Sequence, residues 1–163
     1  MIALRPASPA DIPLLQELAY AIWHQVFTTI ITPDQTDLML ETMYDPATIR
    51  REMDQGFVWK VLEEDHVAIG YISYSMTSPA ECKLHKIYLQ PGHHGKGFGK
   101  LLMKDAMAYA RSHGARTLVL RVNRANAKAL RAYRAFGFRE AEPVEWEFAP
   151  GFILHDYKMT LTL

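Results

Sequence analysis

Cysteine is nearly missing. Cys82 stands alone among 163 residues, so no internal disulfide can staple the chain, and a lone strand cysteine reads as core filler before it reads as a nucleophile. Long apolar runs are missing too: none approaches the roughly 20 residues needed to span a bilayer. The opening Met1-Ile2-Ala3-Leu4-Arg5-Pro6 lacks the basic, apolar and small-residue regions of an export signal. The expectation is therefore a cytoplasmic protein with no membrane partner. Repeats, low-complexity tracts and interdomain linkers are absent, and the length suits a single domain, 1–163, with one sizeable core.

Net charge is also lacking, but only in sum. Residues 1–65 carry a net −7, residues 66–139 a net +11 and the remainder −4. Between Asp105 and Glu140 lie eight basic residues and no acidic one. A basic half suits a polyphosphate ligand. Nucleic acid is the rival partner, but no binding motif accompanies the basic residues and the overall isoelectric point is near neutral, so none is expected. The pair His93-His94 has no carboxylate or cysteine close in sequence, so no metal is expected either.

The chemistry-bearing stretch is Gln90-Pro91-Gly92-His93-His94-Gly95-Lys96-Gly97-Phe98-Gly99-Lys100. An apolar strand-like run, Leu84 to Leu89, leads in, and a periodic apolar segment from Phe98 to Ala110 leads out. Glycines at alternate positions let a ligand approach the backbone and aim several N–H groups at one point, to which a helix start adds its positive dipole end. The guest implied is a phosphate or diphosphate. A P-loop is excluded, because Gly99-Lys100 is followed by Leu101 where a metal-binding hydroxyl is needed. The dinucleotide fingerprint fails as well: counted from Gly95 and Gly97, the third glycine position holds Lys100.

A second segment, Asn123 to Phe138, reads as a helix capped by Asn126 and stopped at Gly137, with Ala129, Leu130, Tyr133 and Phe136 on one face. Together the two segments resemble the GCN5-related N-acetyltransferase (GNAT) superfamily. Its phosphate loop, Gln/Arg-x-x-Gly-x-Gly/Ala, is matched by His94-x-x-Gly97-x-Gly99, with His94 departing from the pattern. Its later helix, Asn-x-x-Ala-x-x-x-Tyr ahead of Gly-Phe, is matched by Asn126, Ala129, Tyr133, Gly137 and Phe138.

The resemblance implies a mixed α+β fold: a mostly antiparallel seven-stranded sheet, splayed between strands 4 and 5 and flanked by helices. It implies acetyl-CoA as co-substrate. The pantetheine would lie along Ile87, Tyr88 and Leu89, and the diphosphate at His94, Gly95, Lys96, Gly97, Phe98, Gly99 and Lys100, with Asn126 and Lys128 as further contacts. Tyr133 would protonate the departing sulfur and the Leu89 N–H would bind the thioester oxygen. A base would help, since an alkyl amine is mostly charged at neutral pH. His85 has the right intrinsic pKa and Glu81 is the second candidate. Homodimers are frequent in this superfamily, and the apolar, aromatic tail is compatible with one.

For the acceptor, Trp23-His24-Gln25-Val26-Phe27, the acidic helical region behind it and the closing Asp156-Tyr157-Lys158-Met159 resemble the bacterial polyamine (spermidine/spermine) acetyltransferases. An acidic first half would attract a polycation, with Trp23, Glu41 and Tyr44 as candidate contacts. The alternatives at this point are a protein N-terminus or lysine, an aminoglycoside, or a non-catalytic acyl-CoA sensor.

Overall fold

Proline placement decides where the first helix begins. The chain predicts a helix opening at Pro9, but Pro13 has no N–H to give the Pro9 carbonyl, so Ile12 N–H takes it instead and Pro9–Asp11 form a single 3-10 turn. In the computed structural model, which describes residues 1–163 except the side chains of Glu140 and Ala141, helix α1 therefore runs Ile12–Val26. The chain divides into two compact units, Met1–Ser75 with His85–Ala106, and Met76–Leu84 with Met107–Leu163.

The first unit holds β1 (Ile2–Pro6), α1, α2 (Pro33–Met43), α3 (Pro46–Asp54), β2 (Val58–Glu64), most of β3 (Val67–Ser78), the second half of β4 (Glu81–Leu89) and the first turns of α4 (Phe98–Ser112). Two cap-proline pairs, Thr32-Pro33 and Asp45-Pro46, open α2 and α3. Thr32 Oγ1 accepts from Gln35 N at 3.1 Å while Gln35 Oε1 accepts from Thr32 N at 3.0 Å. Asp45 Oδ2 accepts from the amides of Ala47 and Thr48. The β2–β3 hairpin turns at Asp65 and His66, both left-handed at φ 50° and 69°. Leu15, Leu18, Ala19 and Ile22 of α1 are buried, as are Val61 and Leu62 of β2 and Ile69 and Ile72 of β3, which are divided between the two faces of the sheet; each large one is worth about 1.5–3 kcal/mol.

The second unit holds the start of β4, the end of α4, β5 (Thr117–Asn123), α5 (Ala127–Phe136), β6 (Arg139–Ala149) and β7 (Phe152–Thr162). Strand β5 pairs antiparallel with β7 from Thr117–Thr162 to Asn123–Asp156. Alternation sends Leu118, Leu120 and Val122 into the core with Met159, Leu161, Leu130 and Phe138. The sequence places the start of β6 one residue early: Phe138 N still donates to Tyr133 O, closing the end of α5, so pairing starts at Arg139.

The strand order is β1-β2-β3-β4-β5-β7-β6 in an open, mostly antiparallel sheet. The β4–β5 pair is parallel and covers Glu81–Thr117, Cys82–Leu118 and Lys83–Val119. This is the mixed α+β architecture that the sequence motifs implied.

Candidate active site

Strand β4 runs straight into the glycine loop. Gln90 N donates to Ile69 O at 2.8 Å, Pro91–His93 make one tight turn, and α4 starts at Phe98. Between them Gly95 and Gly97 sit at φ +78° and +83°, a conformation costly for any residue with a Cβ. A Cβ placed on Gly92, Gly95, Gly97 or Gly99 would meet nothing within 4 Å. The glycines therefore face open space, which is what a diphosphate approaching backbone amides at a helix entrance requires. Lys96 and Lys100 stand exposed on either side of Gly97 and Gly99.

His94, the departure from the loop pattern, has a local job. Its Nε2 lies 3.1 Å from Leu89 O, and since a carbonyl only accepts, Nε2 carries the proton. The ring thus ties the loop to the last residue of β4. The neighbouring His93 Nδ1 lies 3.0 Å from Glu64 Oε2, although the two atoms are not aligned for a hydrogen bond.

On α5, Asn126 Oδ1 accepts from Ala129 N at 3.2 Å, so Asn126 is a working N-cap. Tyr133 is half-buried, its ring 5.9 Å from Phe138 in an edge-on contact, and burial pushes its phenol up to about 12. Lys128 is exposed on the first turn of the same helix.

Of the two candidate bases, His85 shares a 2.7 Å hydrogen bond between its Nε2 and Ser75 Oγ, and Phe57 stacks on its ring at 4.6 Å. Glu81 is engaged: Oε2 accepts from Thr77 Oγ1 at 2.7 Å and Oε1 lies 3.7 Å from Lys158 Nζ.

The acceptor candidates separate. Trp23 is only 2% exposed and donates its Nε1–H to Tyr71 Oη at 3.2 Å. Tyr44 is equally buried, shares a 2.6 Å hydrogen bond with Tyr71 Oη, and already has Lys86 Nζ 5.5 Å from its ring centroid. Neither offers an open aromatic face to a cation in this structure, although Tyr44 still lines the cleft that holds Glu41. The cause is the apolar stripe of α1, which packs Trp23 among Phe27, Tyr44 and Tyr88. Glu41 is exposed and lines a cleft of about 390 Å³ with Gln16, Tyr20, Tyr44 and Asp45. Tyr20, 61% exposed with its ring tilted against that of His24, is an exposed aromatic there.

Sequence reasoning missed Lys86. It is 5% exposed, with Nζ 4.9 Å from the Trp59 ring centroid, and its charge opposes the burial that raises the carboxyl pKa of Glu52. The signal was present: period two puts Lys86 on the buried side of β4 with Cys82 and Leu84.

With this geometry established, known proteins give the class. The acetyltransferase (GNAT) family model matches residues 18–138. The streptothricin acetyltransferase of Streptomyces lavendulae is 39% identical, over 82% of this chain and 79% of its own. The L-methionine sulfoximine/L-methionine sulfone acetyltransferase of Salmonella typhimurium is 28% identical, over 84% and 80%. Among solved structures, the PaiA N-acetyltransferase of Thermoplasma acidophilum in complex with coenzyme A superimposes with a TM-score of 0.85 at 21% identity, over 100% of this chain and 99% of that one. The chain belongs to the acetyltransferase (GNAT) family. It is an acetyl-CoA-dependent N-acetyltransferase.

Proposed function

We propose that residues 1–163 act as one acetyltransferase domain that moves an acetyl group from acetyl-CoA to the primary amine of a small cationic acceptor. The observation that carries this reading is the loop between β4 and α4, with two left-handed glycines and open space over four. Amides there, with Lys96 and Lys100, would hold the diphosphate, and the backbone of Ile87, Tyr88 and Leu89 the pantetheine. Asn126 and Lys128 would add contacts from α5. When bound, acetyl-CoA supplies a thioester, an acyl group activated toward amines.

The chain's own residues do the rest. His94 ties the glycine loop to the Leu89 carbonyl, and the Leu89 N–H, in the preceding peptide unit, would face the thioester oxygen. Burial keeps Tyr133 protonated, so it meets the leaving sulfur as a donor. His85, oriented by Ser75 and Phe57, is the better-placed base, since Glu81 is spent on Thr77 and Lys158. For the acceptor, the acidic cleft of Glu41 and Asp45 beside the exposed Tyr20 supports a cation-bearing amine. Spermidine-type polyamines and amine-bearing antibiotics of the kind named in the 39% identical relative both fit that description.

The test is release of coenzyme A thiol across a panel of amines. Turnover with spermidine or another polycationic amine, lost in Tyr133→Phe, is the expected result. Tight coenzyme binding without turnover on any amine would make the chain a sensor and overturn the reading.

A further inference from the structure

The first residues of β4, at the opposite end of that strand from the glycine loop, belong to a second concave site, built entirely within the second unit. A cavity of about 220 Å³ is lined by Thr77, Glu81, Lys83, Val119, Arg121 and Lys158. The registers explain the grouping. Lys83 pairs with Val119, two residues before Arg121, and Arg121 pairs with Lys158, so all three cations leave the same side of the sheet.

Their charges are not balanced. The one carboxylate lining the cavity, Glu81, is shared between Thr77 Oγ1 and Lys158 Nζ. Among the described residues Lys83 and Arg121 make no ion pair; the Arg121 guanidinium lies over the Trp146 ring, 5.9 Å from its centroid. Burial and the neighbouring Arg121 and Lys158 hold the Lys83 ammonium below its usual range, against the pull of Glu81 and Asp156. Asp156 stands outside the lining: it accepts from Trp146 Nε1 at 3.3 Å, and burial raises its carboxyl against the pull of Arg121 and Arg124. Like charges gathered in one partly desolvated cavity are unfavourable unless a counter-charge joins them.

We infer that this cavity binds a small oxyanion between Lys83, Arg121 and Lys158. The volume takes one with a few waters, each with a share of about 30 Å³. Two sources have this chemistry: a free inorganic anion such as phosphate, or a carboxylate carried by the acceptor.

The test uses the full chain with excess coenzyme A, so that the glycine loop is filled, and inorganic phosphate as the probe. The side-chain resonances of Lys83 are followed through a pH titration. Phosphate should raise the apparent pKa of Lys83 by about one unit or more, and Arg121→Gln should weaken the phosphate response about tenfold or more while the melting temperature is held. A Lys83 titration unmoved by tens of millimolar phosphate, or moved equally in Arg121→Gln, overturns the site. Steady-state rates then identify the source. Phosphate competing with the acceptor assigns the cavity to an acceptor carboxylate, and phosphate binding without kinetic effect assigns it to a free anion. Failure of coenzyme A to bind would sink the loop reading without touching the Lys83 result, so the two are distinguishable.

Discussion

Replacing Gly97 by alanine tests the glycine loop in its most exacting detail. At φ +83° an alanine is strained by about 1–2 kcal/mol, although its Cβ meets nothing within 4 Å. The loop must then carry that strain or swing its amides away from the common point. If the coenzyme restores the loop, the strain is charged to binding, and at about 1.4 kcal/mol per decade the Kd for coenzyme A rises roughly 5- to 30-fold. Gly114→Ala is the control: it is equally left-handed at φ +81° and equally open, but it closes the far end of α4. That variant should lose a similar 1–2 kcal/mol of stability, about 2–8 °C in Tm at this chain length, with no change in coenzyme affinity. Calorimetric titration of both variants with coenzyme A, beside their melting curves, decides the matter. Gly97→Ala binding within twofold of the parent, or Gly114→Ala losing affinity as severely, would refute the reasoning.

Other outcomes follow from the same geometry. Tyr133→Phe should lower kcat by about 100-fold or more with little change in KM for acetyl-CoA. Because the phenol is pushed up to about 12, it keeps its proton below that value and the parent rate should show no alkaline loss from Tyr133 up to pH 10. Lys86→Met removes one of the two cations acting on the half-buried Glu52, Arg51 being the other, and should cost about 1–3 kcal/mol by denaturant unfolding, part of it recovered when Glu52→Gln is added. Trp23→Phe loses the bond to Tyr71 and should lower Tm without altering acceptor KM, whereas Glu41→Gln should raise that KM and leave Tm unchanged. Asp11 is paired through both oxygens with Arg5, at 2.9 and 3.0 Å, and its carboxyl is held below the usual range by that bond. Its stabilisation is full above the unfolded pKa and fades as pH falls through the folded one. Asp11→Asn should therefore cost about 0.5–1 kcal/mol at pH 7, and the difference from the parent should shrink as pH falls below the usual carboxylate range.

Local rules made much of the fold legible. The apolar run Leu84 to Leu89 lies within β4 and ends where that strand ends, and Thr32, Asp45 and Asn126 cap the helices they precede. The misses came from hydrogen-bond details. Pro13 cannot donate, which delays α1, and Phe138 is claimed by the end of α5 before β6 can use it. The glycine loop was legible because backbone freedom is written directly into residue type. The acceptor side was not, because Trp23 reads the same on a packed stripe as on an open face, and only tertiary contact with Tyr71 separates the two. Tyr20, one α-helix away from Glu41 in sequence, joins it only through the folding of α1 against α2.

Titrating coenzyme A into isotope-labelled protein and following backbone amide resonances tests the central claim most directly. The account predicts that Leu89, Gly95, Gly97 and Gly99 shift together and saturably, with Tyr133 responding at the same coenzyme concentration. No binding, or shifts confined to residues far from 87–100, would contradict it.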